Sequence, residues 1–74
     1  MFKKDAQQLI SQEHSRACDA YTPFHSAHEG LAVLQKEFEE LKQEVFAKST
    51  DIQALRKEAA QVGAMALRFL IDCT

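Results

Sequence analysis

Apolar residues recur every three or four positions along most of the chain, which is the spacing of one face of an α-helix. In the first segment these positions are Phe2, Ala6, Leu9, Ile10, Ala17, Cys18 and Tyr21. No segment alternates convincingly with the two-residue period of a β-strand. We therefore predict an all-α chain. Its first helix covers about residues 4–20 and ends ahead of Pro23, because proline disfavours helix at the preceding residue.

A second amphipathic helix is predicted over about residues 26–48. Ser26 followed by Glu29 fits a capping box, in which each side chain satisfies a free backbone N–H of the other residue. The apolar stripe that follows is close to a heptad pattern and consists of Ala27, Leu31, Leu34, Phe38, Leu41 and Val45.

The third helix is predicted over about residues 51–72, after a short polar break in which Thr50 and Gln53 fit a second capping box. A loop this short predicts an antiparallel pair of second and third helices. From Ala59 onward the third helix is apolar almost all round, as is typical of a helix buried on several sides. Three helices in one 74-residue domain cannot cover it. We therefore expect a short helical bundle completed by a homo-oligomer, either a dimer or a tetramer.

Charge and composition argue against several classes of protein. The net charge is −2 and no basic stripe is present, which argues against nucleic-acid binding. The longest apolar run, residues 64–71, contains Arg68 and is too short to span a membrane. No apolar signal core follows Met1. Cys18 and Cys73 form no disulfide framework, so we expect free thiols and a soluble cytoplasmic protein that does not bind membranes.

Acidic residues share one flank of each of the two later helices. At about 100° per residue, Glu37, Glu40 and Glu44 lie together on the second helix, and Glu58 lies with Gln61 on the third. In an antiparallel pair these flanks can face each other. Mg²⁺ prefers oxygen ligands, and clustered carboxylates repel one another unless a cation is present. The pattern therefore suits a divalent cation.

A solvated acidic face is the ordinary alternative, in which Glu44 pairs with Lys48 four residues later. Spacing alone favours that alternative, because Glu-x-x-Glu is common on exposed helices.

The segment from Ala27 to Asp72 resembles the MazG-like all-α nucleotide pyrophosphohydrolases. That family carries Glu-Glu-x-x-Glu on one helix and Glu-x-x-Asp on the next, and the matching stretches are Lys36-Glu37-Phe38-Glu39-Glu40 and Glu58-Ala59-Ala60-Gln61. The resemblance implies hydrolysis of a nucleoside triphosphate to a monophosphate and pyrophosphate, with Mg²⁺, or alternatively Mn²⁺, as cofactor. It also implies that Glu37, Glu40 and Glu58 are catalytic metal ligands and that Gln61 occupies the position of the family's aspartate in the metal site.

The chain departs from the family pattern in two positions and in its length. Lys36 replaces the first glutamate, and Gln61 replaces the aspartate, which removes one negative charge and lowers the expected metal affinity. Larger members continue into a further helix with basic phosphate-binding residues. The alternative function is therefore a non-catalytic helical module for oligomerisation or partner binding, derived from the same scaffold.

Two further sets of residues have a functional and an ordinary interpretation. A zinc site can be drawn from His14, Cys18, His25 and His28, but no Cys-x-x-Cys anchors it, so we favour histidines at a helix start and flank. Arg68 and Lys57 are candidate phosphate contacts. Solvated surface, or an ion pair from Arg68 to Asp72, is the expected alternative.

Overall fold

The computed structural model describes all 74 residues and contains three helices, α1 (Lys3–Ala20), α2 (Ala27–Val45) and α3 (Ile52–Cys73). No strand is present, which confirms the predicted all-α class. Most helix ends lie within one residue of the prediction. None of the helices combines the length and the apolarity needed to cross a bilayer.

The end of α2 is the one boundary that was wrong, because the helix stops at Val45 and not near residue 48. Phe46, directly after the helix, is largely exposed and so has no packing against α3 that would favour a further turn. Instead the Ala47 N–H donates to the Glu44 carbonyl at 3.3 Å. This three-residue bond is typical of the last, tightened turn of a helix.

Both later helices begin at a side-chain cap. Ser26 Oγ accepts from the Glu29 N–H at 3.1 Å, as the first capping box predicts. At the start of α3, however, the cap is Asp51, whose Oδ1 accepts from the Gln53 N–H at 2.9 Å. The predicted Thr50 cap is therefore wrong. A carboxylate has the advantage there because the positive end of the helix dipole favours negative charge.

α3 lies in the middle of the molecule and packs against both other helices, whereas α1 and α2 do not pack against each other. Gly30 of α2 lies beside Phe69 near the far end of α3, so α2 and α3 are antiparallel, as predicted. Ile10 of α1 lies against Gly63, and the linker after α1 reaches Arg68. α1 therefore runs parallel to α3, and a cleft remains between α1 and α2.

The core is small, because only seven of the 74 residues are buried. Ala17, Phe24, Ala64 and Met65 form its buried apolar cluster. Gly30 allows close packing there, since a Cβ at that position would lie 2.7 Å from Phe69 Cδ2. Much of the apolar surface on α2 and α3 stays exposed, in line with the expectation that three helices alone cannot cover it.

Candidate metal centre

Three glutamate side chains converge where α2 crosses α3. Glu37 and Glu40 lie one turn apart on α2, and the antiparallel packing brings Glu58 of α3 to them. One carboxylate oxygen of each lies within 4.8 Å of the other two, and all three residues are half-buried. The predicted meeting of the two acidic flanks is therefore present. Glu44, on the same flank, lies outside this group.

The electrostatics of the cluster disfavour three negative charges without a cation. Burial raises the pKa of Glu37, and the charges of Glu40 and Glu58 raise it further. Burial also raises the pKa of Glu58, and Glu40 again adds to the effect. The one ion pair in the chain joins Arg16 to Glu13, so no lysine or arginine forms a salt bridge with the cluster. A bound cation would remove this repulsion.

Gln61 lies between the two sides of the cluster. In the amide orientation that satisfies both its oxygen and its nitrogen, Nε2 donates to Glu37 Oε2 at 3.3 Å and to Glu58 Oε2 at 3.2 Å. Its oxygen accepts from Arg16 Nη2 at 3.2 Å. The amide nitrogen therefore faces the carboxylates. To act as a metal ligand through its oxygen, the amide has to turn over and release Arg16.

The donor set fits Mg²⁺ or Mn²⁺. It consists of carboxylate oxygens and an amide, with no sulfur or imidazole. Octahedral Mg²⁺ with ligands at about 2.1 Å places opposite oxygens about 4.2 Å apart. Neighbouring ligands of that shell lie only about 3.0 Å apart, so carboxylate oxygens within 4.8 Å of one another have to move by up to about 1–2 Å to hold one cation. Water and substrate phosphates commonly complete such a shell.

The cluster opens into the cleft between α1 and α2, which has a volume of about 520 Å³. Glu37 and Gln61 line both the cluster and the cleft. The remaining wall is partly charged and partly apolar. Its charged side chains are Arg16, Lys36, Arg68, Glu13 and Glu29, and its main apolar and aromatic ones are Tyr21, Phe24, Val33 and Met65. The cleft beside the cluster therefore carries charges of both signs, and Arg16 is paired with Glu13.

Arg68 is buried, with only 4 % of its surface exposed, so its predicted position on the solvated surface is wrong. Nη2 donates to the Thr22 carbonyl at 2.8 Å, and the guanidinium lies 4.2 Å from the centre of the Phe24 ring. The predicted ion pair to Asp72 is also absent, because Asp72 accepts from the Phe24 N–H at 3.0 Å. Arg68 and Asp72 instead both hold the linker that joins α1 to α2.

The zinc alternative finds no support. Cys18 Sγ lies 3.5 Å from His14 Nε2 on α1. His25 and His28 do not join them, since the glutamate cluster is the one group of metal-ligating side chains in the chain. Both cysteines are free thiols, as predicted.

Of the two arginines that line the cleft, Arg68 was named from the sequence as a candidate phosphate contact, and Arg16 was not named. The signal for Arg68 was its place inside the apolar run of residues 64–71. A charged side chain in an apolar helix needs hydrogen-bond partners within the protein. Arg16 gave no such signal. Its place beside Gln61 follows from the packing of α1 on α3, which has no signature in either segment alone.

Comparisons of the chain with protein-family models, with curated proteins and with solved structures gave no match.

Proposed function

We propose that this protein is a MazG-like nucleotide pyrophosphohydrolase that requires Mg²⁺ and works as a cytoplasmic homo-oligomer. Its reaction is the addition of water to a nucleoside triphosphate, which gives a monophosphate and pyrophosphate. The observation that supports it best is the convergence of Glu37, Glu40 and Glu58 without a salt bridge to any basic residue, at the mouth of a cleft of nucleotide size.

The cation would be held by Glu37, Glu40 and Glu58, with Gln61 as a fourth ligand once its amide has turned over. Bound Mg²⁺ supplies charge neutralisation and Lewis-acid stabilisation for phosphoryl chemistry. The protein's own contribution is positional, because it fixes the carboxylates on two packed helices and presents them to the cleft.

The cleft suits a nucleoside polyphosphate in volume, and two exposed basic side chains line it. About 520 Å³ lies within the usual range of small-molecule sites, roughly 300–1,000 Å³. Arg16 and Lys36 line the cleft and would bind phosphate oxygens near the cation. Lys36, at a position where the family has glutamate, thus adds positive charge beside the triphosphate. The aromatic and apolar wall formed by Tyr21, Phe24 and Met65 would receive the base.

One observation favours the second candidate, a non-catalytic module for oligomerisation or partner binding. The Gln61 amide already donates to both Glu37 and Glu58, and its oxygen is engaged by Arg16. Such contacts partly satisfy the carboxylates without a metal. In this case the scaffold would persist while the cation site had been lost.

Product analysis separates the two candidates. The protein is incubated with each common ribo- and deoxyribonucleoside triphosphate and Mg²⁺ or Mn²⁺, and pyrophosphate and monophosphate are measured. We expect release from at least one nucleotide, reduced about 100-fold or more by Glu40→Gln. Glu39→Gln, an exposed carboxylate one residue away, is the matched control and should keep the activity. No pyrophosphate from any nucleotide at high protein concentration would favour the non-catalytic module.

A further inference from the structure

The buried side chain of Arg68 lines the cleft and has hydrogen-bond donors that the chain does not use. Every nitrogen of a guanidinium is a donor. Nη2 donates to the Thr22 carbonyl and Nη1 donates to Met65 Sδ at 3.6 Å, but Nε has no acceptor in the chain. No side-chain nitrogen is both enclosed and without a partner, so Nε is open to the cleft. A ligand in the cleft can therefore supply the missing acceptor.

Glu29 of α2 lies across the cleft from Arg68. Both residues line the cleft, and their neighbours in sequence lie against each other, since a Cβ on Gly30 would be 2.7 Å from Phe69 Cδ2. The antiparallel packing thus places Glu29 and Arg68 at the same level of the cleft. They form no salt bridge with each other, and the Glu29 side chain is exposed. A cationic donor and an anionic acceptor therefore stand on opposite walls, with space for a ligand between them.

This pair lies well away from the glutamate cluster. Arg68 follows Gln61 by about two helical turns, which is about 10 Å along α3, and Glu29 precedes Glu37 by about 12 Å along α2. The Phe24 ring, part of the aromatic wall, lies 4.2 Å from the Arg68 guanidinium. When the phosphates of a nucleotide bind at the cluster, Arg68 and Glu29 are therefore at the end of the cleft that receives the base.

We propose that Arg68 and Glu29 select the base of the substrate, and that the preferred base is guanine. Arg68 donates to guanine O6, while Glu29 accepts from N1–H and from the 2-amino group. Hydrogen bonds with one charged partner are about twice as strong as neutral ones. The inference rests on the proposed function for its assumption that a nucleotide occupies the cleft, and it adds the class of base.

Adenine has the opposite polarity on the same edge. It carries an amino donor at position 6, where guanine has a carbonyl acceptor, and an acceptor at N1, where guanine has a donor. Adenine would therefore leave the Arg68 donor and the Glu29 acceptor without partners, and a polar site that is left unpaired rejects a ligand strongly. Uracil and thymine share the carbonyl and the ring N–H, but they lack the 2-amino group and offer Glu29 one donor fewer.

Calorimetric titration of the full chain with nucleoside monophosphates in Mg²⁺ measures the base preference without catalysis. Guanosine and adenosine monophosphate, GMP and AMP, are compared first. We expect GMP to bind at least about 10-fold more tightly than AMP, which is the discrimination that a good bidentate base contact provides. Inosine monophosphate, whose base is guanine without the 2-amino group, should lie between the two.

Substitution of Arg68 and of Glu29 tests each contact separately. A carboxamide both donates and accepts and can pair with adenine, so Arg68→Gln should bring the affinities for GMP and AMP to within about threefold of each other. Glu29→Ala should weaken GMP by about 10-fold and leave AMP unchanged. Because Glu29 is exposed, this variant should stay folded by circular dichroism and keeps the test informative if Arg68→Gln unfolds. Glu39→Ala, exposed on α2 and outside the cleft, is the matched control and should keep the native preference.

Three results would overturn the assignment: equal or tighter binding of AMP by the native protein, a guanine preference that survives both substitutions, or no binding of any monophosphate. Pyrophosphate release measured on the same native sample keeps this outcome separate from the catalytic one. Release of pyrophosphate together with equal binding of GMP and AMP contradicts only the base assignment. A guanine preference without any release contradicts only the enzyme.

Discussion

The Gln61 amide nitrogen lies 3.2 Å from Glu58 Oε2, and this contact ties a neutral donor to a carboxylate of the proposed metal site. The same nitrogen reaches Glu37 on α2, so the amide bridges the two helices. Without metal, Gln61 therefore has a structural role. With metal, it has to give up these bonds to become a ligand.

We therefore predict opposite effects of Gln61→Asp in the absence and presence of Mg²⁺. A fourth carboxylate loses the donated bonds and adds repulsion, so metal-free stability should fall by about 1 kcal/mol, which is roughly 4–8 °C in melting temperature. The same carboxylate should increase the stabilisation by Mg²⁺. Thermal melts with and without Mg²⁺ measure both effects. Gln43→Asp on the exposed side of α2 is the control, and the prediction fails if Mg²⁺ stabilises the two variants equally.

Glu40→Gln should stabilise the metal-free protein. Glu40 raises the pKa of both Glu37 and Glu58, so its charge opposes theirs. Removing one of a pair of like charges on a helix contributes about 0.2–0.5 kcal/mol, or about 1–4 °C in melting temperature. Glu39→Gln, outside the cluster, should change the melting temperature much less. Equal melting temperatures for native protein and Glu40→Gln in chelator would contradict the repulsion described here.

The raised pKa values give the pH dependence a definite sign. Glu37 and Glu58 hold their protons more tightly in the folded chain than at the ordinary value of 4.5. Their favourable contribution is therefore complete below that value and is lost as pH rises through the raised pKa values. In chelator, the melting temperature of the native protein should fall relative to that of Glu37→Gln/Glu58→Gln over this interval. A difference that is constant with pH would rule this out.

Arg68 should matter for stability through the linker it holds. Arg68→Met keeps much of the packing but loses the bond to Thr22 and the stacking on Phe24. Leaving the carbonyl without its donor costs about 1–2 kcal/mol, or roughly 5–15 °C in melting temperature. Arg56→Met, on the exposed side of the same helix, provides the comparison and should have little effect. Equal melting temperatures for the two variants would show that the linker is held by other contacts.

The parts of the fold that follow from local periodicity were predictable. Helical phase alone places Glu37 and Glu40 on one flank of α2, and a short loop returns Glu58 to them. Contacts to the linker could not be predicted, because the Thr22 carbonyl that accepts from Arg68 is a backbone group 46 residues away. Thr50 and Asp51 are adjacent potential caps, and sequence alone does not decide which side chain reaches the Gln53 N–H.

Calorimetric titration of Mg²⁺ into the nucleotide-free protein addresses the proposed metal centre itself. We expect saturable binding with one cluster per chain, unchanged in Glu39→Gln and lost in Glu40→Gln. The same titration at lower pH should show weaker binding, because protons compete for Glu37 and Glu58. Non-saturable heats that are the same for native protein and Glu40→Gln would contradict the metal centre and leave the three glutamates as an ordinary acidic surface.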